Sequence, residues 1–118
     1  MRIGGFSIVA AALAAAGCAT TPPPTEQLGA ARASVAQAEP AAAQAAPAQL
    51  TAAQSKLARA EEAMKRGDYV AARIYAEQAE VDAKYAWTVA ENARMQRAAA
   101  EVNQGIHTLK EELQRRPQ

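Results

Sequence analysis

The chain has 118 residues and a formal net charge of +1, from 13 Lys and Arg against 12 Asp and Glu. This length has room for one small domain, and the balanced charge argues against a basic surface for nucleic acid. Half of the residues are hydrophobic, but Ala alone supplies 34. The composition therefore predicts slender helices packed through Ala rather than a large core.

The first 17 residues have the pattern of a secretory signal. Met1 and Arg2 give a positive start, and residues 3–16 form an apolar run. A membrane-spanning helix needs about 20 residues, so this run is too short for a permanent span. We therefore predict that residues 1–17 are a signal peptide.

The single Cys of the chain closes this apolar run. The order Ala15-Ala16-Gly17-Cys18 resembles the lipobox of bacterial lipoproteins, in which small residues precede a Cys that becomes the lipidated N-terminus. The resemblance implies that Cys18 carries lipid, palmitate included, and anchors the chain in a membrane. An ordinary signal peptide with an incidental Cys is the alternative. By analogy with enteric bacteria, Ala19 in place of Asp implies the inner leaflet of the outer membrane, facing the periplasm.

A proline-rich tether separates this anchor from the rest of the chain. Pro22, Pro23 and Pro24 favour an extended conformation, at about 3.1 Å per residue, so residues 18–24 hold the domain away from the membrane. The helical domain is expected to span residues 25–116.

Three helices are predicted within that domain. The first covers residues 25–39 and should end or kink at Pro40, because an interior proline costs about 3 kcal/mol. Residues 40–46 are either a kinked continuation of this helix or a connection. The second helix covers residues 47–66, and the third covers residues 69–115.

A sharp turn at Gly67, Asp68 and Tyr69 joins the second and third helices. Gly67 can adopt the left-handed conformation that ends a helix, and the side chain of Asp68 can cap the helix that follows. Before the turn, large apolar residues recur every seven positions, at Leu50, Leu57 and Met64. This pattern predicts a helical hairpin.

The third helix carries two stripes of residues with the same alternating steps of four and three. The members of the large-residue stripe are Ile74, Gln78, Val81, Tyr85, Thr88, Asn92, Met95, Ala99, Val102, Ile106, Leu109 and Leu113. The members of the alanine stripe are Ala72, Ala76, Ala79, Ala83, Ala86 and Ala90. The large-residue stripe continues over more than five heptads and predicts a long, coiled-coil-like helix.

Two arrangements of the helices fit the sequence. In one, the first helix folds back on the hairpin, and the alanine stripe gives it a surface to pack on. In the other, it continues from the second helix and pairs with the far end of the third, since residues 25–66 and 69–115 are nearly equal in length. Either way the fold class is all-α, a helical hairpin with a preceding shorter helix and a long third helix.

The far half of the large-residue stripe is the candidate partner surface. The second helix can cover the third only to about residue 88. Beyond Asn92 the stripe must therefore contact the first helix, another copy of the chain or a different protein. The proposed surface, with one aromatic anchor beside the stripe, consists of Trp87, Met95, Val102, Ile106, Leu109 and Leu113.

The hairpin carries two family resemblances. Residues 67–79, GDYVAARIYAEQA, resemble the turn and second helix of a tetratricopeptide repeat, but a second copy is absent and one repeat cannot bury its own face. The wider pattern PAQLxxAxxKLxxAxxAMxxGDYxxARxxAEQA, over residues 47–79, is similar to a family of small proteobacterial lipoproteins with a domain of unknown function. Some members of that family continue into a peptidoglycan-binding domain like that of outer-membrane protein A.

Residues that carry out chemistry are scarce in this sequence. His107 is the only His, Cys18 is assigned to lipid, and His and Cys do not recur at the spacing of a metal site. A Gly-rich phosphate loop is also missing. We therefore expect no catalysis, no metal and no cofactor.

Two functions follow from this reasoning. The first is a membrane-anchored structural or adaptor protein of the cell envelope, which contacts envelope proteins or another copy of itself through its helices. The second is a non-covalent tether to peptidoglycan. The major murein lipoprotein is also short, Ala-rich and coiled, but it ends in a Lys that is joined to peptidoglycan. Residues 115–118 read RRPQ here, so covalent attachment is not expected.

Overall fold

The computed structural model describes residues 20–116, and the predicted signal peptide and Cys18 lie outside these residues. Three α-helices make up the described part: α1 is Thr25–Ala45, α2 is Pro47–Lys65 and α3 is Tyr69–Arg115. Residues 20–116 contain no β-strand. The prediction of an all-α fold with a long third helix is confirmed.

The first helix runs six residues past its predicted end. Pro40 lies inside α1, where it has no N–H to donate to the carbonyl group of Ala36. Both Ala36 and Pro40 are exposed, so water can hydrate the carbonyl group that lacks a donor. The predicted bound at residue 39 is therefore wrong, and of the two interpretations of residues 40–46 the structure has the helical continuation, because Pro40 lies on the solvent side of the helix.

A single residue, Ala46, links α1 to α2 and reverses the chain. Its φ and ψ angles are −144° and 51°. Its N–H donates to the carbonyl oxygen of Ala42 at 2.9 Å, and its own carbonyl oxygen accepts from the N–H of Leu50 at 3.0 Å. Pro47 occupies the first turn of α2, where a missing N–H costs no helical bond. The reversal therefore leaves its backbone groups bonded.

The three helices form a bundle in which α1 and α2 both pack on α3. Arg32 of α1 and Glu61 of α2 lie 2.8 Å apart, Nε to Oε1. Lys56 of α2 and Asp82 of α3 lie 2.6 Å apart, Nζ to Oδ2. Each of α1 and α2 touches α3 more extensively than they touch each other. Of the two arrangements that fit the sequence, the structure has the one in which the first helix folds back on the hairpin.

The core of this bundle is built mainly from alanine. Among the described residues, 13 of the 16 buried hydrophobic residues are Ala, and the other three are Leu28, Val35 and Leu50. Every member of the alanine stripe of α3 is at most 3% exposed. Because Ala carries only a methyl group, neighbouring helix axes can approach to about 8 Å, and no side-chain entropy is lost.

The turn between α2 and α3 caps both helices. Gly67 has a φ of +74°, which is the left-handed region. Its N–H donates to the carbonyl oxygen of Met64 at 3.1 Å, and the N–H of Asp68 donates to that of Ala63 at 3.0 Å, as in a Schellman motif. The carboxylate of Asp68 also accepts from the N–H of Ala71 at 3.1 Å and so caps α3.

Replacing a core alanine with a larger residue tests the packing. Ala83 is 0% exposed and lies in the cluster that contains Val35 of α1 and Ala53 of α2. We expect Ala83→Leu to lower the free energy of unfolding by about 1–3 kcal/mol, because the added carbons force the helices apart. Urea denaturation measures this, with Ala33→Leu on the exposed side of α1 as the matched control. An Ala83→Leu variant as stable as the parent would contradict the packing described.

The turn gives a second stability prediction. Asp68→Ala removes the side-chain oxygen that caps α3, and we expect it to cost about 1 kcal/mol in thermal or urea unfolding. Asp68→Asn keeps an accepting oxygen and should retain most of the stability. Equal losses in both variants would show that the carboxylate acts through its charge and not as a cap.

Candidate interaction surface

The large-residue stripe faces away from the bundle. Each step of two residues turns a helix by about 200°, so this stripe lies on the side of α3 opposite the alanine stripe. Ile74, Val81 and Tyr85 are 47%, 65% and 59% exposed. The expectation that α2 covers this stripe to about residue 88 is therefore wrong. The helix α2 packs on the alanine stripe instead, because methyl groups allow a closer approach than branched or aromatic side chains.

Beyond the bundle, α3 continues as a single helix. Ala90 is the last buried residue of α3, and every residue from Arg94 to Arg116 is exposed. We call residues 91–115 the extension; at 1.5 Å per residue it is about 37 Å long. Glu91 and Arg94 form an ion pair at its base, 2.9 Å between Oε2 and Nη2.

Five large apolar side chains project from the extension into solvent. The five are between 44% and 70% exposed. They are Met95, Val102, Ile106, Leu109 and Leu113. A contiguous row of exposed apolar side chains is typical of an interaction site rather than of a free surface. The first helix does not cover them. The remaining candidates for contact with this half of the stripe are another copy of the chain and a different protein.

Trp87, the aromatic residue grouped with this surface on sequence grounds, lies elsewhere. It is 41% exposed and lines a shallow groove of about 210 Å³. The other lining residues come from α1 and α3 and include Ser34, Gln37 and Lys84. The structure therefore places five of the six predicted partner residues on the extension and Trp87 on the bundle half of α3, beside α1.

A groove between α2 and α3 is a feature that the sequence reasoning missed. It runs beside the bundle half of the large-residue stripe and has two adjoining parts. The first part, of about 300 Å³, is lined by Ala48, Gln49, Ala52, Asp82 and Tyr85. The second part is lined by Lys56, Ile74, Glu77, Gln78, Val81 and Asp82. Ala48 and Ala52 lie four residues apart on an exposed face of α2, and that spacing was the available signal.

Charged side chains border the stripe on both halves of α3. On the bundle half, Lys84 pairs with Glu80, and Asp82 pairs with Lys56. On the extension, Lys110 and Glu112 form no ion pair with any other residue in the described range. The two halves thus present charged residues of both signs next to an apolar row.

The described residues contain no cluster of three or more His, Cys, Asp or Glu side chains suited to a metal ion. His107 lies exposed on the extension. Within residues 20–116, each of the three helices falls short of the combined length and apolar content that a bilayer span requires.

One comparison with known proteins gives a match. A family described as Domain of unknown function (DUF4398) matches residues 26–102, about two thirds of the chain. The match includes all of the bundle except Thr25 and continues along the extension as far as Val102. No curated protein and no solved structure matches the chain.

Proposed function

The chain belongs to the DUF4398 family, and on that premise we propose that it is a proteobacterial lipoprotein with a structural or adaptor role. In this proposal, lipid on Cys18 anchors it in the outer membrane, and the helices face the periplasm and contact other proteins without catalysis. The observation that carries the proposal is the exposed large-residue stripe, which runs along α3 from the bundle to the end of the extension.

The position of the tether supports this role. Thr20 and Thr21 lie beside the turn of Gly67 to Val70 and line a groove with it. The extension leaves the bundle at the opposite end, after Ala90. A chain anchored through Cys18 would therefore point its extension away from the membrane. The 47 residues of α3 span about 70 Å, so the far end would reach well into the periplasm.

The chemistry of the exposed stripe favours a helical protein partner. Apolar side chains at steps of four and three are what a second helix packs between in a coiled coil. Anchoring by several lipid chains on one residue would be firm, since each buried methylene contributes about 0.8 kcal/mol. An anchored rod with a contact surface suits an adaptor or scaffold.

Lipid attachment is tested by metabolic labelling. Cells that express the chain are fed an alkyne analogue of palmitate, and we expect label on the parent chain and none on Cys18→Ser. Thr20→Ala, a change in the tether two residues away, is the matched control and should keep the label. A parent chain without label would remove the anchor from the proposal.

Protein contact is tested by photo-crosslinking in cells. A photoreactive amino acid at Leu109, on the exposed stripe, should give protein adducts, because this side chain is 62% exposed and is expected to be covered by a partner. The same amino acid at Gln104, on another side of the extension, is the control and should give few. Absence of adducts from both Leu109 and Ile106 would contradict the adaptor role.

Non-covalent binding to peptidoglycan is the competing function. Co-sedimentation of the purified chain with isolated sacculi, together with an absence of protein adducts at Leu109, would favour the tether over the adaptor. Attachment that survives boiling in detergent would show covalent linkage, which neither function predicts.

A further inference from the structure

We propose that a second copy of this chain covers the large-residue stripe. The two α3 helices run antiparallel, so that the extension of each copy lies on the bundle of the other. This inference rests on the proposed function only in taking the stripe as a protein contact, and it names the partner and the geometry of that contact.

The two halves of α3 match in length. The bundle half, residues 69–90, has 22 residues and is about 33 Å long, and the extension, residues 91–115, has 25 residues and is about 37 Å long. Each copy therefore has an uncovered helix face on its bundle and an uncovered helix of similar length beyond it. Antiparallel pairing covers both at once through one self-complementary, closed interface.

Charged residues beside the stripe select one register. When the two-fold axis passes beside Arg97, Lys84 faces Glu112 of the second copy, and Asp82 faces Lys110 of the second copy. Each of these attractive pairs occurs twice. Lys110 and Glu112 have no ion pair within the described part of their own chain, and each would add a second charge partner to a bundle residue that is already ion-paired.

The neighbouring registers bring like charges together. A shift of one heptad in one direction puts Glu77 opposite Glu112 of the second copy, and a shift in the other direction puts Glu91 opposite it. A parallel dimer sets Glu77 against Asp82. Like charges directly opposed across a helical interface disfavour that pairing, which is how such residues choose partner orientation.

The chosen register also pairs the apolar side chains. Leu113 packs on Val81 of the second copy, and Leu109 packs on Tyr85 beside the groove between α2 and α3. Ile106 lies opposite Thr88, whose hydroxyl already donates to the carbonyl oxygen of Lys84 at 2.8 Å. The partner's extension thus becomes a fourth helix against each bundle, and the exposed Ala48 and Ala52 leave room for it.

The region around the axis permits close approach without collision of the bundles. Ala98 and Ala99 lie at the crossing, where small side chains let two helices come together. The last bundle residue of one copy, Ala90, is level with residue 104 of the other. The two bundles therefore end about 20 Å apart along the direction of the helices.

Distances between spin labels test the geometry. Arg97, Gln104 and Glu111 are outward-facing positions seven residues apart, and each is replaced singly by Cys and labelled in the full chain carrying Cys18→Ser, in detergent. A label that lies n residues from the two-fold axis is displaced from its counterpart by about 3n Å along the direction of the helices. The separations along the helices should therefore be about 0, 21 and 42 Å for residues 97, 104 and 111. Equal distances at all three positions indicate a parallel dimer, and a minimum at residue 104 indicates an axis there; either result overturns the proposal.

Charge reversal tests the register independently. Glu112→Lys should weaken the dimer about tenfold in sedimentation equilibrium, a size expected for two exposed charge pairs turned repulsive. The double variant Lys84→Glu with Glu112→Lys should recover the parent affinity. Glu111→Lys makes the same charge change on the outer side and should leave the affinity unchanged. A double variant as weak as the single one would contradict the pairing.

The outcomes separate this inference from the proposed function. A full chain that stays monomeric up to about 1 mM, far above the micromolar range in which stable pairs form, overturns the second copy as partner. Adducts from Leu109 to a different protein would then leave the adaptor role standing. A dimer with the expected label distances, in a chain that takes up no palmitate analogue, would support the inference and remove the lipid anchor alone.

Discussion

The contact of α1 and α2 with the alanine stripe of α3 decides the position of every other part of the molecule. Ala76, Ala79 and Ala83 are 0% exposed, and the residues that meet them are also mostly Ala. Each methyl group buries little surface, so the bundle depends on close approach along the whole contact rather than on a few large side chains. Large residues cannot occupy the same face, and on α3 they lie opposite.

The bundle also stabilises the extension, which continues from it along α3. Starting an isolated helix in water is costly, because the first turn fixes several residues for one hydrogen bond. The extension continues a helix that the bundle already holds, so no new nucleus is needed. Gly105 still costs roughly 1 kcal/mol within it. Burial of the exposed apolar row by a partner, as proposed, would stabilise the extension further.

Local features could be predicted from the sequence. Features that depend on how segments distant in the sequence pack together could not. The turn at Gly67 and Asp68 follows from the conformations those two residues allow, so the hairpin could be anticipated. The cost of Pro40 depends on whether the side of the helix that loses a bond faces water, and only the assembled bundle decides that. The two stripes of α3 have the same spacing, so the sequence of α3 alone does not show which stripe packs in the bundle. That depends on the side chains of α1 and α2 at the contact, which are mostly Ala. The groove beside Tyr85 exists only once the helices are assembled.

The large-residue stripe is bare on the isolated chain, and in the proposed location, the cell envelope, a partner should cover it. Carbene footprinting of Ile106, Leu109 and Leu113 tests this directly when the dilute purified chain is compared with the chain in isolated envelopes. We expect strong labelling of all three side chains in the dilute chain and clear protection in envelopes, with Gln104 labelled in both. Equal labelling in both states would contradict this expectation, and so would protection in the dilute chain.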